Sequence, residues 1–325
     1  MNVTILGAGA WGAALGKLLC EGGHAVTLWD IDESTLNELR TGRSERYLPG
    51  VALPRDWRVE TDLDRALAGR ECLVLAVPSR VFREVAGRLP PSPATLVSVT
   101  KGIEYDTGLT MCRILRQCHP DAEIAALSGP TFALEVARGI PTAIVCASEQ
   151  ESVSRRVQAL FHRPTFRVYR STDPLGVELG GALKNVVAIG AGVCDGLGYG
   201  DNSKAALVTR AIAEIRRFGT ACGAQPDTFA GLSGLGDLTV TCFSRLSRNR
   251  ALGERLGRGE SMAAILASAP KLAEGYPTAR SALRLARQLG VSTPIMDEVH
   301  AMLYEDKNVQ QAVQDLLSRG LKAED

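Results

Sequence analysis

To about residue 170 the chain alternates short apolar runs with amphipathic stretches of helical period. Runs at 3–6, 25–29, 72–77, 95–99, 123–127 and 143–145 read as strands, several of them almost continuously apolar. Such runs suit strands covered on both faces, so the pattern predicts a parallel α/β sheet. Between them, 11–21, 34–39 and 80–88 read as helices. Beyond about Ser171 strand signals stop and helical period dominates, at 174–193, 203–221, 248–256, 261–267 and a long tail, 278–319. Thr172-Asp173-Pro174 marks the change, with Asp173 placed to cap the next helix and Pro174 suited to its first turn. The expected fold is α/β: a Rossmann-type parallel sheet domain over 1–172, then an all-α domain over 173–325. A ligand cleft between the two is expected.

Composition narrows the function classes. The chain has 325 residues, 45% hydrophobic and 22% charged, which suits an ordinary core. A net charge of +1 leaves no electrostatic footprint for nucleic acid or an anionic membrane. Eight cysteines stand apart with no Cys-x-x-Cys pair, which fits reduced thiols better than disulfides or zinc, so no metal is expected. An apolar strand starting at residue 3 leaves no room for a targeting segment, and no run approaches the ~18 apolar residues of a membrane span. A soluble cytoplasmic protein is the expectation. Only four histidines occur, at 24, 119, 162 and 300, none in a Gly/Asp-rich motif. Acid–base work is therefore sought at lysine.

Gly7-x-Gly9-x-x-Gly12 follows the first strand and opens the first helix. The three glycines permit a tight turn, close approach of a pyrophosphate, and helix–strand packing, while the helix start presents N–H groups to the phosphates. Asp30 ends the second strand about twenty residues on, where a carboxylate accepts ribose hydroxyls and repels a 2′-phosphate. Asp32 adds a second negative charge, and no Arg lies between Trp29 and Leu39. NAD(H) is predicted over NADP(H), with NADP disfavoured rather than excluded.

Polar groups gather in four further segments. Lys101, in Ser98-Val99-Thr100-Lys101-Gly102, projects from the carboxyl edge of a strand. Ser128-Gly129-Pro130-Thr131 follows the next strand, with Thr131 read as a helix cap and Gly129 as a point of close approach. Around Lys184, helical spacing sets Val177, Gly181, Ala188 and Ala191 on one face. Burial there should lower the lysine pKa toward neutrality, the property a proton donor to a carbonyl needs. Asp237, after a flexible glycine turn, is placed to orient Lys184 or a substrate hydroxyl, with Thr241 four residues on. Ser247 caps a helix whose start carries Arg248 and Asn249, donors of the kind a phosphate monoester requires.

Nine blocks in order carry a resemblance: GAGAWG, SVTKGIE, SGPTFALEVA, GALKNVVAIGAG, DGLGYGDNSKAAL, GLSGLGDLTVTC, SRNRALG, AEGYPTA and TPIMDEV. The chain resembles the soluble, bacterial-type NAD(P)-dependent glycerol-3-phosphate dehydrogenases. The resemblance implies interconversion of dihydroxyacetone phosphate and sn-glycerol 3-phosphate, supplying the latter for phospholipid synthesis. It implies Lys184 as the proton-transfer residue. Lys101, Gly129, Thr131, Asp237, Ser247, Arg248 and Asn249 would surround the phosphorylated three-carbon substrate. Ala10, Trp11, Lys101, Ala133, Arg248, Leu272 and Glu274 would contact the cofactor, with Asn185 and Thr241 as secondary members. Asp30-Ile31-Asp32 stands where the family commonly has His or Arg, Ala10 where Ser is frequent, and Tyr276 where Val is usual. A homodimer is left open. Two other readings stay open: a related β-hydroxyacid dehydrogenase, and a catalytically silent NAD(H)-binding regulator.

Overall fold

In a computed structural model, residues 1–92, 94–268, 272–321 and 323 are described. They fall into two compact units, 1–101 with 109–178, and 102–108 with 179 onward.

The first unit is built on eight strands: β1 (Asn2–Leu6), β2 (Ala25–Trp29), β3 (Arg58–Glu60), β4 (Cys72–Leu75), β5 (Thr95–Ser98), β6 (Ile124–Ser128), β7 (Thr142–Ala147) and β8 (Phe166–Ser171). Their spatial order is β3-β2-β1-β4-β5-β6-β7-β8. The first six are mutually parallel, in the doubly wound order of dinucleotide folds. Helices α1 (Ala10–Glu21), α2 (Glu33–Arg40), α3 (Leu63–Leu67), α4 (Phe82–Gly87), α5 (Met111–Cys118), α6 (Ala133–Ala137) and α7 (Glu151–Phe161) lie between them in the chain. The central strands are largely apolar, β4 entirely so, because both faces are covered. Val3, Ile5, Leu6, Leu73, Val74 and Leu75 are at most 1% exposed, each contributing about 1.5–3 kcal/mol of burial. Leu6 stands opposite both Trp29 and Leu75, so the carboxyl ends of β1, β2 and β4 finish together.

The sheet departs from the expected all-parallel form at β6 and β7, which pair antiparallel. A parallel return needs a crossover as long as the strand. The five residues of α6 span about 7.5 Å, whereas the five of β6 span about 16 Å. Strands β3 and β8 were not among those expected; both are sheet edges and largely polar.

Helix α8 (Pro174–Gly196) contains the division between the units, at Glu178–Leu179. Asp173 caps it, its Oδ1 accepting from the Gly176 N–H at 2.9 Å. The second unit continues with α9 (Asp201–Ala221), α10 (Asp237–Phe243), α11 (Arg248–Gly257), α12 (Met262–Ser268), α13 (Gly275–Leu289), α14 (Pro294–Tyr304) and α15 (Val309–Leu317). The tail expected as one helical stretch is thus three helices. Gly290, at φ 64°, ends α13, and Pro294 opens α14.

Helix α8 corrects the expectation that no segment has the make-up of a membrane span. It is 23 residues long, with a mean hydropathy of 1.4 over its most apolar 18 residues. Those residues are wholly buried in the protein, as in the core helix of a globular fold. It meets α11 backbone to backbone: a Cβ on Gly192 would lie 1.9 Å from the Arg250 carbonyl oxygen, and one on Gly253 1.9 Å from that of Ile189. Only glycine permits this approach. Residues 102–108 are held to α13 by Tyr105, whose ring lies 4.2 Å from the Arg280 guanidinium and 5.0 Å from that of Arg284.

Candidate active site

The glycine turn between β1 and α1 is demanded by its surroundings at two positions and open at the third. Gly7 has φ 103°, and a Cβ there would sit 2.7 Å from the Ala76 carbonyl oxygen. A Cβ on Gly12 would be 1.8 Å from the carbonyl oxygen of Gly7. Nothing lies within 4 Å of where a Gly9 Cβ would stand. No side chain caps α1, so its first N–H groups, at Ala10 and Trp11, have no intrahelical acceptor. An uncapped helix start beneath open space suits the pyrophosphate of a dinucleotide.

At the end of β2, Asp30 and Asp32 divide the work. Asp30 accepts from the Ala8 N–H at 2.8 Å and from the Asp32 N–H at 3.0 Å, holding the glycine turn against its own loop. Asp32 caps α2, accepting from the Ser34 N–H at 3.1 Å, the Ser34 hydroxyl at 2.7 Å and the Thr35 hydroxyl at 2.8 Å. Hydrogen bonds from Ser34 and then Thr35 hold its carboxyl down at about 2. Arg46, distant in sequence, reaches it with Nη1 at 3.2 Å.

At the carboxyl ends of β5 and β6, three expected residues converge on one carbonyl. The Gly129 oxygen accepts from Lys101 Nζ at 3.1 Å and from the Thr131 hydroxyl at 3.1 Å. Thr131 is therefore not the cap expected of it; Phe132 occupies that position, without a side-chain bond. Ala133 opens α6, packed against the sheet core.

In the second unit, Lys184 is 7% exposed and donates to Asp237 Oδ1 at 2.6 Å and to the Thr241 hydroxyl at 2.6 Å. Asp237 is 1% exposed. Of the two partners expected for Asp237, a substrate hydroxyl or Lys184, the structure pairs it with the lysine, and its carboxylate offsets the cost of burying the ammonium. The turn before Asp237 is not the flexible loop expected. Leu232–Gly236 form a wide π-type turn running directly into α10, with the Gly236 N–H bonded to the Gly231 carbonyl at 3.1 Å. Thr241, expected as a secondary member, touches the lysine directly, because positions 237 and 241 are one helical turn apart.

Asn185 does not hold the lysine. Its Oδ1 accepts from Asn249 Nδ2 at 2.9 Å, and Asn249 Oδ1 accepts from the Gly275 N–H at 2.8 Å. This amide relay ties α8, α11 and α13 together through both the oxygen and the nitrogen of the Asn249 side chain. Ser247 caps α11 as expected, accepting from the Arg250 N–H at 3.2 Å. Arg250 is ion-paired with partly buried Asp195 at 2.6 Å, and Lys204 pairs with the same carboxylate. Arg248 is exposed beside them. Leu272 is 38% exposed, and Glu274 immediately precedes α13. Sequence reasoning missed Arg46, Asp195 and Gly275, which act through contacts nine or more residues away in the chain. Among the described residues, no group of three or more His, Cys, Asp or Glu is placed to hold a metal ion.

A doubly wound sheet with an open glycine turn, joined to a helical unit that buries a lysine–aspartate pair, defines a nicotinamide-dependent dehydrogenase. Family models for the N-terminus and C-terminus of NAD-dependent glycerol-3-phosphate dehydrogenase match residues 2–154 and 173–314. The chain belongs to that family. It is 48% identical to glycerol-3-phosphate dehydrogenase [NAD(P)+] of Syntrophotalea carbinolica, over 100% of this chain and 99% of that one. A relative of the same description from Citrifermentans bemidjiense is 46% identical, covering 99% and 98%. The crystal structure of glycerol-3-phosphate dehydrogenase from Coxiella burnetii superposes with a TM-score of 0.94 at 36% identity, covering 98% of this chain and 99% of that one.

Proposed function

We propose that this chain interconverts dihydroxyacetone phosphate and sn-glycerol 3-phosphate, with Lys184 as its acid–base residue and NAD(H) as the preferred dinucleotide. Family membership over both units supports the reaction. The observation that carries the residue assignment is the buried Lys184–Asp237–Thr241 cluster. Two fixed acceptors, Asp237 Oδ1 and the Thr241 hydroxyl, aim the Lys184 ammonium group. Such a group polarises the C2 carbonyl oxygen of dihydroxyacetone phosphate and gives it a proton; in the reverse direction it takes the proton from the C2 hydroxyl. The bound dinucleotide supplies or accepts the hydride at C2.

Gly7, Gly9, Gly12, Ala10 and Trp11 would hold that dinucleotide, with Asp30 and Asp32 toward its adenosine ribose. Lys101, Gly129 and Thr131 would contact the substrate. Arg248 and the capped start of α11 would take the phosphate, as a charged fork beside helix N–H groups. Phosphate held away from the reacting carbon orients the carbonyl and raises its effective concentration at the lysine. The product fits supply of glycerol 3-phosphate for phospholipid synthesis.

Replacing Lys184 by Ala should lower kcat by roughly 10²–10⁴-fold, with the Kd for NADH unchanged in a fluorescence titration. Near-normal turnover would overturn the assignment. Arg248→Ala should chiefly raise the KM for dihydroxyacetone phosphate. The cofactor preference is read from kcat/KM of the unaltered protein with NADH and with NADPH; a higher value for NADPH refutes it.

A further inference from the structure

The end of β2 holds both groups that distinguish the two dinucleotides, and they are in contact. A carboxylate at this place receives ribose hydroxyls, whereas a nearby arginine accommodates a 2′-phosphate. Here each oxygen of Asp30 holds backbone, the Ala8 N–H or the Asp32 N–H. Asp32 is the outer carboxylate, and its Oδ2 takes Arg46 Nη1 at 3.2 Å.

Arg46 is not a stray surface side chain. Its loop is pinned from both sides: Leu48 is fully buried, the Leu48 N–H bonds the Ser44 carbonyl at 2.8 Å, and the Leu53 N–H bonds the Gly42 carbonyl at 3.0 Å. Its guanidinium lies 5.2 Å from the Tyr47 ring centroid, and Tyr47 packs against the sheet core. The side chain remains half exposed, so its charge is open to a ligand as well as to Asp32.

We infer that the Asp32–Arg46 pair is the selectivity element for the 2′-position of the dinucleotide, with Arg46 the group that would hold a 2′-phosphate and Asp32 the group that withholds it. This rests on the reading that the dinucleotide lies on the glycine turn with its adenosine ribose at the end of β2. A 2′-phosphate must take the guanidinium from Asp32 and meet that carboxylate's charge. A 2′-hydroxyl needs neither. The pair thus favours NAD(H) while keeping a phosphate-binding cation in reserve.

Asp32→Asn separates charge from structure, since Asn caps a helix about as well as Asp. Equilibrium Kd values for NADH and NADPH, measured by nucleotide fluorescence, provide the readout for Asp32→Asn, Arg46→Ala and the double variant. Asp32→Asn should tighten NADPH binding by about tenfold or more and raise the affinity for NADPH relative to NADH by at least as much. Arg46→Ala should weaken NADPH by about tenfold with NADH unchanged, and should cancel the gain in the double variant. If the gain survives in the double variant, or Arg46→Ala leaves NADPH unaffected, the assignment of Arg46 is wrong. Arg46 is half exposed, so its truncation tests the inference even if Asp32→Asn unfolds the protein. Tighter binding of NADPH than NADH by the unaltered protein would instead overturn the cofactor preference, and failure to bind either would overturn the dinucleotide reading itself.

Discussion

At the residue scale, the three glycines of the first turn share a motif but not a reason. Gly7 and Gly12 answer to the protein's own backbone, which leaves no room for a side chain at either place. Gly9 answers to nothing among the described residues: its φ of −68° is ordinary for any residue, and none of them lies within 4 Å of where its Cβ would stand. The two kinds should separate on mutation. Gly9→Ala should leave thermal stability within about 1 kcal/mol of the parent, since a backbone conformation open to alanine gains from a stiffer unfolded chain. The same change should weaken NADH at least tenfold, because a methyl fills the approach to a pyrophosphate. Gly12→Ala should lower the melting temperature sharply, because its Cβ would overlap a fixed carbonyl. Equal stability losses for the two variants would contradict this division. Lys184 shows the complementary limit. Its place among small apolar neighbours was legible from helical spacing, and Asp237 was named as a partner with a substrate hydroxyl as the alternative; with 53 residues between them, only the fold decided for the ion pair.

At the element scale, two buried glutamates do structural work that no periodicity announces. Glu214 on α9 caps α14 by accepting from the Ile295 N–H at 3.0 Å and the Met296 N–H at 2.9 Å. Glu178 on α8 accepts from the Cys112 N–H at 2.9 Å, at the start of α5. Burial pushes both carboxyls up to about 7, against the pull of these backbone hydrogen bonds. An unfolded glutamate titrates near about 4.3. Between those values the folded protein holds a proton that the unfolded chain has released, so stability falls as pH rises through that window and levels off above it. Nearby Arg217 favours the charged form of Glu214, and Asp297 opposes it. Glu214→Gln should flatten the decline of Tm between about pH 4.3 and 7; an unchanged slope would show that the carboxyl titrates normally. The edge strands illustrate a different gap. In β8 the alternation of buried Phe166 and Val168 with exposed Arg167 and Tyr169 is a strand signal, but a short one. In β3, Arg58-Val59-Glu60 is too brief to carry any period, and pairing with β2 alone makes it a strand.

At the scale of the whole molecule, the division into units does not follow the chain. Residues 102–108, just after Lys101, belong with the helical unit. They are held there by Tyr105 against Arg280 and Arg284, with the Arg284 Nη1 also donating to the Tyr105 carbonyl at 3.2 Å. Tyr105→Ala should cost about 1–2 kcal/mol, two exposed cation–π contacts at about 0.5–1 kcal/mol each. Tyr105→Phe should cost almost nothing, since the ring and the carbonyl remain. Denaturant titration of both variants checks this, and an equal loss in Phe would point to the hydroxyl instead.

Local pattern was enough to determine a dinucleotide-type sheet followed by helices, the place of the glycine turn, the cap at Asp173, and a lysine on an apolar helix. These are short-range properties: strand and helix period, turn chemistry and capping act over a few residues, so the chain states them in order. The resemblance over nine blocks named the family before any contact was known. Tertiary structure decided what depends on residues meeting across the chain. It made Lys184 an ion pair, turned Asn185 and Asn249 into a relay between helices, reversed β7 against β6, and brought Arg46 to Asp32. Each of these is a choice of partner for a charge, an amide or a strand edge. Burial makes that choice binding, because a polar group taken from water must find its partner wherever the fold brings one.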